Sequence, residues 1–141
     1  MSDNEQLAII NARVWTGNAR RPWADAVLIR GERIELVGSS AEVRKQSAVS
    51  CRRIDAHGQL VVPHWKDARA GLADDALMQA VRSSLQGTVS PELNVLEAGA
   101  PADLAIFDRD ITRASMDDPA VARVIVLIVA GRVLLDRAGL V

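Results

Sequence analysis

Residues 26–37 read AVLIRGERIELV, two apolar runs on either side of Gly31-Glu32. Glycine at the first central position is what a two-residue type II′ hairpin turn requires, because that position needs a positive φ. Ala26–Arg30 and Arg33–Val37 are therefore expected to pair antiparallel.

Working outward, 7–15 reads LAIINARVW, rich in β-branched and bulky apolar residues and closed by the turn-forming Thr16, Gly17 and Asn18. It is read as one strand. Ser39 followed three residues later by Glu42 has the form of a capping box, so a short helix over 40–46 should follow the hairpin. Arg52–Asp55 and Gln59–Val62 are read as the next strand pair across Ala56, His57 and Gly58, with Pro63 ending the pairing because it lacks an N–H.

Leu72, Ala76, Leu77, Ala80, Val81 and Leu85 then recur at helical spacing, with Asp74 and Asp75 near the positive end of the helix dipole and Gly87 as terminator. After a polar stretch containing Pro91 and Gly99, strands are expected at about 102–108, 123–129 and 132–136, the last two joined by Ala130-Gly131. An order of strands, one helix, then strands lacks the alternation of a parallel α/β sheet. The expected fold is mainly β: a composite sandwich or partly closed barrel built from N- and C-terminal segments, with one or two short helices inserted.

Composition narrows the function. At 141 residues one core is expected, spanning 1–63, 64–101 and 102–141 as parts of a single domain. Trp15, Trp23, Trp65 and Phe107 are the only aromatics, so the core rests on Val, Ile, Leu and Ala. Seventeen basic and eighteen acidic residues are scattered along the chain, which argues against nucleic acid. The polar start and the short apolar runs predict a soluble cytoplasmic protein with no membrane partner. Cys51, the single cysteine, is read as a buried or half-buried filler with nothing nearby to activate its thiol.

At both ends the chain resembles the amidohydrolases of the metal-dependent hydrolase superfamily, in particular their Amidohydro_3-like group. The likeness is carried by LAIINARVWTG from Leu7, ADAVLIRGERIELVGSSAEV from Ala24 and RRIDAHGQLVVP up to Pro63, then by GAPADLAIFDRDITRA from Gly99 and VARVIVLIVAGRVLLD up to Asp136. It implies the β-domain that such enzymes assemble before and after a catalytic (β/α)₈ barrel. In the family, a His-x-His pair enters that barrel just beyond the position matching Pro63 and binds a divalent metal. Here Asp67 and Ala68 fit the family's Asp-Ala step, but Arg69 and Gly71 stand where the histidines should be. Fewer than forty residues separate Pro63 from Ala102, whereas a barrel needs about 250.

The resemblance therefore implies a non-catalytic β-domain, with no catalytic, cofactor-binding or metal-ligating residue and no cofactor. His57 is expected to be an exposed turn histidine. His64 and Asp67 are expected at a surface junction, too few for a zinc site. The resemblance places Asp103 in a turn where its carboxylate caps backbone N–H groups, and Asp117-Asp118 before Pro119 has the composition of a solvated loop. An alternative is a hydrolase of carbon–nitrogen bonds other than peptide bonds, with a partner supplying missing groups. A third reading is a binding module on the surface that a barrel would cover. That surface, only partly covered by the helix over 72–85, predicts a homodimer or another protein partner.

Overall fold

A computed structural model of the chain describes residues 5–64, 77, 80, 81, 83, 93–108 and 124–137. The strands are β1 (Gln6–Ile10), β2 (Arg13–Trp15), β3 (Trp23–Ala24), β4 (Ala26–Arg30) and β5 (Arg33–Gly38). Helix α1 (Ser40–Gln46) follows, then β6 (Arg52–Asp55), β7 (Leu60–Pro63), β8 (Leu104–Phe107), β9 (Val124–Val129) and β10 (Arg132–Asp136). They form a four-stranded sheet in the order β5-β4-β1-β6 and a six-stranded sheet in the order β10-β9-β8-β7-β2-β3. The fold is mainly β, two mixed sheets packed as a sandwich, and neither sheet closes into a barrel.

The hairpins form where turn chemistry places them. Arg30 pairs with Arg33 across Gly31-Glu32, with Gly31 at φ +60° and Glu32 outside the positive-φ region. Arg132 pairs with Val129 across Ala130-Gly131, and both turn residues have positive φ, as a type I′ turn demands. The capping box is complete: Glu42 N–H donates to Ser39 Oγ, and Ser39 N–H donates to the Glu42 carboxylate.

Two strand readings are corrected. The run over 7–15 is not one strand but two, β1 and β2, in different sheets. Asn11 sits between them at φ +54°, a conformation asparagine tolerates better than most residues. Likewise β6 and β7 do not pair with each other. The chain turns at His57 (φ +49°) and Gly58 (φ +79°), leaving β6 beside β1 in one sheet and β7 beside β2 in the other, both pairings parallel. The two corners are stitched together: Gly58 N–H donates to Asn11 O at 2.7 Å, Ala56 N–H to Ile10 O at 3.0 Å and Arg13 N–H to Gln59 O at 3.0 Å. Pro63 stays in the ladder opposite Leu104, and the pairing ends one bond later, with His64 N–H donating to Asp103 O.

Because side chains alternate along a strand, the sandwich has three apolar layers. Between the sheets, Leu7, Ile9, Val27, Ile29 and Ile54 meet Val14, Val61, Leu104, Ile106 and Ile128. On the outer face of the four-stranded sheet, Ala8, Ile10, Ala26 and Leu28 pack against Val43 of α1. On the outer face of the six-stranded sheet, Leu60, Val62, Ala105, Phe107 and Val124 pack against Leu77 and Val81. Leu77, Ala80, Val81 and Ser83 are helical, as the spacing predicted, and the rest of the predicted 72–85 helix lies outside the described residues. Since β7 of the N-terminal segment pairs with β8 of the C-terminal one, strands from both ends share a sheet.

Candidate functional site

Where the two hairpin tips meet, the sandwich opens into a cleft of about 370 Å³. Leu7, Ile29 and Val133 form its apolar floor, continuous with the layer between the sheets. Arg52 at the start of β6, Arg132 at the start of β10, Glu5 and Glu32 also line it. Among the described residues, neither arginine side chain makes a hydrogen bond or ion pair.

The tips touch through backbone. A Cβ built on Gly131 would lie 1.8 Å from Gly31 O, so the two turns are packed at glycine contact distance. Residues 99–102 tie them together: Gly99 N–H donates to Ile34 O, Ile34 N–H to Ala100 O, Ala102 N–H to Glu32 O and Gly131 N–H to Ala102 O. Asp103, 7% exposed, accepts the Ala130 N–H at 2.8 Å through Oδ1. This is the backbone-capping carboxylate expected there.

A second, more open hollow of about 590 Å³ lies beside the corner, where the Arg13 guanidinium stacks 4.0 Å from the centroid of Trp23. Trp23 in turn leans on Trp15, with ring centroids 5.1 Å apart. Asp25 and Glu42 share this hollow, and Glu42 is already engaged in capping α1.

The remaining sequence candidates are dispersed. His57 is exposed, with its Nδ1 3.6 Å from the Asp55 carboxylate. Asp55 accepts the His57 backbone N–H at 2.9 Å and the Asn11 amide at 3.2 Å. Chiefly the His57 N–H, aided by Asn11, holds the Asp55 carboxyl below its ordinary range against the opposing effect of partial desolvation. His64 is corrected: it is 8% exposed, not a surface residue, because its backbone bonds Asp103 on one side and accepts the Asn94 N–H on the other. Cys51 packs beside the α1 layer, and burial pushes its thiol pKa up in spite of Arg53 nearby, so the thiol is not activated. Asp67, Arg69, Gly71, Asp117 and Asp118 lie outside the described residues. Among the described residues, no three His, Cys, Asp or Glu side chains come close enough to hold a metal.

The sequence reading passed over Arg52 and Arg132. The missed signal is register: Arg52 stands two residues before the inward-facing Ile54 and thus shares its face.

No protein-family model matches the chain. Over 73 residues, 52% of its length, the chain is 42% identical to the N-substituted formamide deformylase of Arthrobacter pascens, and it spans 14% of that protein. Among solved structures it resembles a metal-dependent hydrolase from Pyrococcus furiosus, at 25% identity and a TM-score of 0.40 over 54% of this chain and 16% of that one. It also resembles enamidase, a member of the amidohydrolase superfamily, at 25% identity and a TM-score of 0.37 over 43% of this chain and 16% of that one. Its similarity to these proteins covers about half of this chain and 16% or less of each of them. Among the described residues, no helix is long and apolar enough to cross a membrane.

Proposed function

We propose that this chain is a non-catalytic β-domain of amidohydrolase type, a packing and association module rather than a hydrolase in its own right. The observation that carries this reading is the pairing of β7 with β8. Pro63 lies opposite Leu104, while the resemblance would insert a barrel of about 250 residues between those strands. Only residues 64–103 join them here, and part of that segment, Leu77 and Val81, packs on the outer face of the same sheet. The expected result is no turnover of an N-alkylformamide by the purified chain, with or without added Zn²⁺, and no tightly held metal by elemental analysis. About one retained metal per chain, with activity removed by a chelator, would overturn it.

The 42% identity to a formamide deformylase favours a second reading, a carbon–nitrogen hydrolase completed by a partner chain. Turnover that appears only on adding a separately purified barrel protein would establish it.

Association with a second copy is part of the proposal, through the edge of the six-stranded sheet. The outer face of the six-stranded sheet is covered by Leu77 and Val81, whereas β10 is an edge strand carrying Leu134 at 62% exposure. Antiparallel pairing of two β10 strands about Leu134 would set Arg132 of each copy opposite Asp136 of the other. Light scattering should give a dimeric mass that Leu134→Glu reduces to monomer. A monomeric mass for the unaltered chain at micromolar concentration would sink the idea.

A further inference from the structure

We propose that the cleft between the hairpin tips binds a small monocarboxylate with a branched apolar tail, the carboxylate on Arg52 and the tail over Leu7, Ile29 and Val133. This is independent of the proposed function.

The argument starts from register. Across the four-stranded sheet Ile9 pairs with Val27 and Ile54, a row whose three side chains all enter the layer between the sheets. One repeat along the same face, Leu7 pairs with Ile29 and Arg52. Leu7 and Ile29 are buried, so Arg52 occupies the third inward-facing place of an otherwise apolar row, on the edge strand where the layer opens. Its guanidinium has no carboxylate or carbonyl partner among the described residues. A guanidinium fork matches a carboxylate in shape.

The cleft also sets limits on its ligand. At about 370 Å³ it is near the lower bound of small-molecule pockets. Glu5 and Glu32 at the rim form no ion pair with either arginine among the described residues, so they remain to repel a second negative charge. A single carboxylate on a short aliphatic body fits these conditions better than a dicarboxylate or a phosphate.

The test is an amide-resolved NMR titration of the chain with isovalerate, with 3-methylbutan-1-amine and inorganic phosphate as comparison ligands. Isovalerate should give saturable shifts at the Gly31 and Gly131 amides with a millimolar dissociation constant. Arg52→Gln should weaken binding about tenfold or more. Arg53→Gln should leave it unchanged, since Arg53 lies on the opposite face, 3.5 Å from Ser47 Oγ. Should Arg52→Gln fail to fold, Arg52→Lys, which keeps the charge and loses the planar fork, should still weaken binding. The proposal is overturned by non-saturable shifts, by equal binding of the amine or of phosphate, or by folded Arg52→Gln binding as tightly as the parent.

Discussion

The carbonyl oxygen of Gly31 occupies the space a side chain on Gly131 would need, 1.8 Å from where its Cβ would fall. One glycine belongs to the hairpin of the four-stranded sheet and the other to that of the six-stranded sheet, so this contact locks the two sheets at one end. Gly131→Ala must both strain a residue at φ +77° and separate two backbones, an expected loss of about 2–4 kcal/mol. Gly58 provides the control, with φ +79° and nothing within 4 Å of an added Cβ, so Gly58→Ala should cost only about 1 kcal/mol. Urea denaturation of both variants checks this, and equal losses would mean the tips can part freely.

Asp103 and Ala130 give a second prediction on the same hairpin. Ala130 is held at φ +50°, where alanine is disfavoured, and its N–H is bound by the Asp103 carboxylate. Asp103→Ala leaves that N–H unsatisfied and should destabilise by about 1–3 kcal/mol. Ala130→Asn creates the Asn-Gly pair that type I′ turns prefer and should stabilise by about 0.5–1 kcal/mol. Thermal melts of the two variants should move in opposite directions.

These turns were legible in the sequence because glycine spacing determines where a two-residue hairpin can form, and the α1 capping box was legible for a similar reason: both are local chemistry. The corners were not. The segment over 7–15 has the composition of one strand, and only the tolerance of Asn11 for positive φ distinguishes a bend from a strand interior. Nor could spacing show that β6 and β7 separate into different sheets, since His57-Gly58 serves equally well as a hairpin turn. The cleft escaped notice because Arg52 becomes meaningful only when Leu7 and Ile29 are in register beside it.

The corner also makes a pH prediction. The folded Asp55 carboxyl titrates below its unfolded value, so its contribution to stability is complete above the unfolded pKa of about 3.9 and is lost as pH falls through the lower folded pKa. Asp55→Asn should lower the urea midpoint at neutral pH and flatten its decline through the acid range. Parallel midpoint–pH curves for parent and variant would show that the His57 and Asn11 contacts contribute nothing to the corner.

The final prediction concerns the outer face of the six-stranded sheet, where Val81 is fully buried and Leu77 is 2% exposed. Both belong to the layer of Leu60, Val62 and Phe107, side chains that strand alternation directs away from the sandwich interior. Without a cover, that face would present aliphatic and aromatic surface to water at a cost of about 25 cal/mol per Å². Leu77→Ala removes buried methyl groups and opens a cavity, for an expected loss of about 2–5 kcal/mol. Val81→Asp sets an ionised carboxylate in an apolar layer and should cost more than Leu77→Ala. If the cover forms one cooperative unit with the sandwich, both variants should shift a single denaturation transition without changing its slope. If the cover is a separate, weakly docked element, each variant should instead leave the sandwich's transition in place and raise binding of a hydrophobic dye.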